Sequence, residues 1–377
     1  MKETRMRSCV IAAGLLLATA APVLAQNTNP LRDGLDHLPA TLLSGQTGDF
    51  AYFLDMHTLM SLVDDDSAPR PQLRAMPIVD VLALESVFET EPAEWEAKAG
   101  TTIDKIRYFT GYGRPPNSTS NWGLVDADAA TDMIAALKAV GFEDAGVSGV
   151  VGNGEPQRFD PSKRDPSDPW RTAIGAAQFA AAVGTNVVQA QTPQAATVAA
   201  GQQPSLGDNP IVATALAGLE QAAGNGQVVQ AVVISPLFGM AALDPAAMLA
   251  PSADMDETKE RLEEQMAALS QGIPPYLGGI IADIQHDRPG VGIALTYPDC
   301  AIAEEAADAI ATRWVDMAGD AAQGEVTANT AEGEGGFCAA TVSVFVDADS
   351  PEQNPAYRVL IETYTRGQVG ILQIGEN

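Results

Sequence analysis

Two spacings alternate along this chain. Short runs of consecutive or alternating apolar residues predict strands, and apolar residues three and four apart predict helices. The run DFAYFLDM (49–56) predicts a first strand, and a charged, proline-bearing loop follows it (64–77). Helical spacing returns at 78–87 and 92–98, and two extended segments follow at 103–109 and 120–125. Asp126 or Asp128 then caps a helix whose buried face holds Ala130, Met133, Ile134, Leu137 and Val140, and Gly141 ends it. A short strand (147–151) leads into the polar loop GNGEPQRFDPSKRDPSDPW (152–170). Paired strands (178–183 and 186–191), two helices (193–200 and 210–222) and the strand QVVQAVVIS (227–235) complete the first half.

The second half repeats the scheme. An amphipathic helix (257–269) precedes a hairpin (279–285 and 290–296) that turns about Asp287 to Gly290. Asp299 caps a helix carrying Ile302, Ala306, Ile310, Trp314 and Met317. A glycine-rich loop (332–336) enters a strand (337–346), a helix marked by Tyr357, Leu360, Ile361 and Tyr364 ends at Gly367, and VGILQIG (369–375) closes as a strand. WGLVDADAATDMIAALKAVGF (122–142) and GIALTYPDCAIAEEAADAIATRW (292–314) share one grammar of strand, acidic cap and alanine-rich helix. The expected fold is α+β. It consists of two domains of antiparallel sheet with helices packed on one face, as split βαβ, ferredoxin-like units and a possible degenerate duplication. The expected limits are a tail at 26–46, a first domain at 47–235, a proline-punctuated junction at 236–256 and a second domain at 257–377.

Residues 1–25 add a destination. Lys2, Arg5 and Arg7 precede an apolar run from Cys9 to Ala20, and the small-residue stretch ending at Ala25 offers cleavage before Gln26. This is the pattern of a secretory signal peptide, and the protein is expected to be periplasmic or secreted. Cleavage takes away three basic residues and one acid, leaving 18 basic and 48 acidic residues and a net charge of −30. Such a charge argues against nucleic acid and against anionic membrane surfaces, and it suits solubility or a cationic partner. Cys300 and Cys338 remain after export, and no histidine at metal-site spacing joins them, so a structural disulfide is expected.

The segments EWEAKAG (94–100), YFTGYGRPPN (108–117), the strand-DADAA-helix-GF succession and IPPY (273–276) resemble a loosely defined group of uncharacterised secreted bacterial proteins built from repeated α/β sandwich units. The resemblance implies the fold and brings no catalytic set with it.

Catalytic and cofactor motifs are missing. The chain has no G-x-S-x-G elbow, no H-E-x-x-H, no C-x-x-C and no phosphate loop, and no cofactor is expected. His37, His57 and His286 are its three histidines. DADSPEQN (347–354) offers oxygen ligands but reads first as a helix entry. The loop GYGRPPNSTSNW (111–122) supplies the candidate binding residues Tyr112, Arg114 and Asn117, with Tyr108 and Trp122 beside them. The glycines and prolines of that loop also suit a stiffened connection. The expectation is a non-enzymatic protein that binds a small molecule or a protein partner of the cell envelope. The alternatives are an envelope-directed hydrolase using acidic residues and a structural envelope component.

Overall fold

In the computed structural model of the chain, the residues described are 29–44, 51–62, 81–113, 118–171, 174–200, 204–240, 272–350, 353–365 and 370–375. The leader, the 64–77 loop, most of the 236–256 junction, the 257–269 helix, Arg114, Asn117 and Gly367 lie outside them.

Chain order sets out two similar series. The first runs through α1 (Pro30–Asp36), β1 (Ala51–Asp55), α2 (Met56–Ser61), α3 (Leu82–Glu89) and α4 (Pro92–Ala99). It continues with β2 (Ile106–Tyr112), β3 (Thr119–Leu124) and α5 (Ala127–Ala139), then β4 (Glu143–Asp144) and β5 (Val150–Gly152). The hairpin β6 (Phe179–Val183) and β7 (Asn186–Ala190) precedes α6 (Pro193–Ala200) and α7 (Pro210–Ala223). The second series is β8 (Gln227–Ile234), β9 (Gly278–Gln285), β10 (Pro289–Tyr297), α8 (Cys300–Met317), β11 (Glu325–Glu332), β12 (Cys338–Phe345) and α9 (Pro355–Thr365).

These strands form one antiparallel sheet in the order β11-β12-β10-β9-β8-β1-β2-β3-β7-β6-β5-β4. The order contains its own repeat. Read outward from the centre, β1-β2-β3-β7-β6 matches β8-β9-β10-β12-β11. The two repeats meet where β1 pairs with β8, with Ala51 opposite Val233 and Leu54 opposite Gln230. The matching helices start alike, because Asp126 accepts the N–H of Ala129 at 2.7 Å and Asp299 that of Ile302 at 3.0 Å. The sheet is not interrupted at the expected junction, since β8 pairs with β1 on one side and β9 on the other.

Helices cover both faces, whereas the sequence pattern suggested one. On the first face, α3, α4, α5, α8 and α9 pack over residues such as Trp122, Val232, Ile281, Ile293 and Val342. On the second, α1 and α7 cover Phe53, Tyr108, Ala231, Ile280 and Ala294, and α6 covers Phe179 and Ala190. The central strands carry apolar residues at consecutive positions, so each face needs its own cover. Gly218 lets α7 lie close, because a Cβ there would sit 2.6 Å from Thr341 Cγ2 and 2.8 Å from Ala339 Cβ.

Two segments depart from the sequence pattern. The 369–375 segment is not a strand. It makes a 3₁₀ turn (Gly370–Leu372) and then donates Ile374 N–H to Gly239 O and Gly375 N–H to Ile273 O. In contrast, β11 arises where no strand was expected. Its apolar positions, Val326, Ala328 and Ala331, are few and small, and it obtains its place from an uninterrupted eight-residue pairing with β12.

Cys300 and Cys338 are joined as a disulfide, with Cα atoms 5.0 Å apart and a sequence separation of 38. The bond ties the first residue of α8 to the first residue of β12. By loop entropy, closing such a loop contributes at most about 4 kcal/mol.

A buried polar chain crosses the centre of the first face. The Tyr52 hydroxyl donates to Gln230 Oε1 at 2.9 Å, and Gln230 Nε2 donates to Asp283 Oδ2 at 3.1 Å. Asn354 Nδ2 donates to Asp283 Oδ1 at 2.6 Å and to Gly290 O at 2.8 Å, while its Oδ1 accepts the Tyr357 N–H at 3.1 Å. Asp283 is fully buried. Burial pushes the Tyr52 and Tyr357 hydroxyls well above their ordinary range, with the Asp283 charge adding to it, so both stay protonated. Asn354→Ala removes a helix cap and a donor to a buried carboxylate, and should cost about 3 kcal/mol in urea denaturation. A loss below about 0.5 kcal/mol, the ordinary surface value, would show that Asp283 does not need this donor.

Candidate functional site

A cavity of about 630 Å³ lies on the second face at the seam between the repeats. Three chain segments shape it. Asn29 begins α1, with its Oδ1 accepting the Leu31 N–H at 3.1 Å. Its Nδ2 reaches across to Glu220 Oε1 in the last turn of α7, at 2.8 Å. Asp55 ends β1 and caps α2, accepting the Thr58 N–H at 2.9 Å. Gly224 and Gly226 turn the chain from α7 into β8 and complete the rim. Leu31, Leu216, Leu219 and Val228 supply the apolar wall.

The polar content of this cleft is one-sided. Asp55 and Glu220 are its charged side chains, the neutral Asn29, Thr58 and Gln227 line it beside them, and no lysine, arginine or histidine does. Asp55 is only 6 % exposed. Burial raises its carboxyl pKa against the lowering effect of the Thr58 hydrogen bonds. The cleft therefore presents acceptors and negative charge beside an apolar surface, a set that complements a ligand with an apolar body and a cationic or donor head.

Of the sequence candidates, Arg114 and Asn117 lie outside the described residues, and Tyr112 lies away from the cleft. Tyr112 sits half-buried on β2, packed against the second-face core, with its hydroxyl hydrogen-bonded to Thr119 and pushed up by burial. It pairs with Ala51, while Asp55 pairs with Tyr108, so Tyr112 and the cleft lie at opposite ends of β1. Trp122 and Tyr108 are fully buried. Trp122 stacks between Trp95 and Trp170, with centroids at 5.8 and 5.1 Å. All four tryptophans of the chain are buried, which leaves none as an exposed stacking platform for a sugar.

The histidines are dispersed. His57 is exposed on α2, and His286 lies in the β9–β10 turn in contact with Asp287. His37 follows α1, where burial lowers its pKa. Its Nε2 meets the Asn186 side-chain amide at 2.8 Å, and Asn186 Oδ1 accepts the Tyr108 hydroxyl at 3.1 Å. This network anchors α1 to the sheet. In the 347–354 segment, Asp347 approaches Arg288 at 3.9 Å and Asn354 turns inward to Asp283. Among the described residues no group of three His, Cys, Asp or Glu side chains is placed to hold a metal ion.

A second cavity of about 360 Å³ lies in the long loop after β5 and gathers Arg158, Lys163 and Arg171. Arg158 pairs with Glu155 at 3.2 Å, Lys163 approaches Asp160 at 3.9 Å, and Arg171 donates to Asn153 O at 2.9 Å. Its cations are committed to the loop itself. Sequence reasoning missed the first cleft because Asn29, Asp55 and Glu220 are separated along the chain and belong to no motif. The signal present was the cap grammar at Asn29 and Asp55, which marks helix starts without saying where they converge.

No family model and no curated protein matches the chain. A solved structure described as "Structure of crystal form I of TP0453" is similar over 87% of this chain and 98% of that one, with a TM-score of 0.35 and 9% identity. The class of the protein is therefore defined by its own elements, an α+β fold with a large antiparallel sheet.

The cleft carboxylate is testable through stability. Asparagine caps a helix as well as aspartate does and carries no charge to desolvate. Asp55→Asn should keep or raise stability at pH 7, and Asp55→Ala should lower it by about 1 kcal/mol. Burial holds the folded-state pKa of Asp55 above the ordinary 3.8. The wild type therefore gains stability as pH falls through that raised value, and any advantage of Asp55→Asn fades toward pH 3.8. Denaturation curves at neutral and acid pH check this, and an advantage that grew on acidification would contradict it.

Proposed function

We propose that the protein is exported and acts in the cell envelope as a non-enzymatic binding protein. Its ligand, or an exposed group of a partner, carries an apolar body and a cationic head and occupies the cleft between α1, α7 and the start of β8. One observation carries this reading: the cleft lining joins an apolar wall to Asp55 and Glu220 and contains no basic side chain. Both carboxylates also have structural partners, Thr58 and Asn29, which favours holding a charge over moving a proton. The −28 charge of the chain would raise the local concentration of a cationic ligand. The disulfide is compatible with an oxidising compartment, and among the described residues no helix is long and apolar enough to cross a membrane.

Hexylamine and hexanoate share a size and differ in charge, so they serve as probes. Hexylamine should shift the NMR resonances of Leu219, Ala223 and Val228 and hexanoate should not. Asp55→Asn together with Glu220→Gln should weaken the amine by about tenfold, roughly 1.4 kcal/mol. Equal response to both probes would defeat the reading. Export has its own check: protein recovered from the envelope fraction of the source cell should begin at Gln26, and an intact Met1 on the recovered protein would contradict it.

A second reading, a hydrolase acting on envelope material, draws on the raised Asp55 carboxyl, since a general acid needs such a shift. Release of soluble products from purified cell-wall material, lost in Asp55→Asn, would replace binding with hydrolysis.

A further inference from the structure

The two repeats end differently at their outer edges. In the first, the terminal strand of the repeat, β6, pairs on its outer side with β5, Val150 lying opposite Ala181 and Gly152 opposite Phe179. In the second, the equivalent strand is β11, and among the described residues no strand pairs with its outer side. Among the described residues, then, one copy of this edge is occupied and the other is open.

The open edge is well formed. β11 pairs with β12 over eight consecutive residues without a register shift. It contains no proline, lysine or bulge, the usual devices that blunt an edge. The direction of its free groups follows from the ladder. Val346 N–H donates to Pro289 O at 2.9 Å, so residues 346, 344 and 342 face β10 and the intervening ones face β11. Gly333 N–H donates to Phe337 O at 2.8 Å, in the same phase. The inward-facing positions of β11 are then Glu325, Thr327, Asn329 and Ala331. The N–H and C=O groups of Val326, Ala328, Thr330 and Glu332 point outward.

Charge selects the occupant. Glu325 and Glu332 stand at the two ends of the strand, Glu325 paired with Arg288 at 2.9 Å, and α8, which packs on β11, exposes Glu304, Glu305 and Asp308. An antiparallel second copy would set the glutamates of one strand end against those of the other, in a chain that already carries −28. We infer that the outer edge of β11 is a docking site for an extended, lysine- or arginine-bearing segment of another protein, which adds to the sheet as an antiparallel strand. Main-chain pairing supplies the affinity and the flanking acids supply the preference for basic residues. This site lies apart from the α1–α7 cleft and does not depend on what that cleft holds.

Hydrogen exchange measured by NMR on the full mature chain tests it. The probes are a synthetic peptide alternating Lys with Val and its Glu-for-Lys counterpart. The basic peptide should slow exchange at Val326, Ala328 and Thr330, and the acidic one should not. Ala328→Pro removes an outward donor while leaving the β12 ladder whole, and should weaken the basic peptide at least about tenfold. Glu325→Lys with Glu332→Lys leaves the backbone untouched and should shift preference toward the acidic peptide. The inference fails if the outward amides are indifferent to the basic peptide, or if both peptides protect them equally. It also fails if they are protected in the free protein by concentration-dependent self-association.

Discussion

The pairing of β1 with β8 is the contact on which the rest of the protein depends. It is antiparallel, central and long-range, and it turns two five-strand repeats into one sheet. The polar chain from Tyr52 through Gln230 to Asp283 crosses this seam on one face. Buried hydrogen-bond donors and acceptors tolerate no slip, because a one-residue shift would send each of these side chains to the opposite face. Asn354 extends the same constraint to α9, since the amide that donates to Asp283 belongs to the residue that caps the helix.

The seam also places the cleft. α1 lies over the first repeat and α7 over the second, and they approach one another where β1 ends and β8 begins. The Asn29–Glu220 hydrogen bond closes one side of that approach. A cleft at the junction of two repeats is a consequence of packing two similar units with helices that do not quite meet. The outer edges also differ between the repeats, one covered by β5 and β4 and the other open among the described residues.

Much of the fold was legible in the chain. The helices at α5 and α8 announced themselves through apolar spacing and an aspartate cap, and the sequence likeness of 122–142 to 292–314 corresponds to equivalent places in the two repeats. The hairpins around Gly184-Thr185 and Asp287 were equally clear. β11 was not, because EVTANTAE has little apolar content, and a strand of this kind forms only when β12 offers its ladder. VGILQIG failed in the opposite direction: its composition suits a strand, but it forms a turn held by backbone bonds to Gly239 and Ile273.

By itself, the sequence determined most of the element types, the acidic charge, the shared strand-cap-helix grammar of the two halves and the one cysteine pair that could close. These rest on periodicity, composition and capping, which act over a few residues. The tertiary structure alone decided that the two repeats share one sheet and that helices cover both of its faces. It also decided that Asp55 and Glu220 line one cleft, that the aromatic residues flanking the 111–122 loop turn inward, and that β11 stands at the end of the described sheet. Each of those is a contact between residues far apart in the chain, and no local pattern carries the information about which distant partner a strand or a side chain will find.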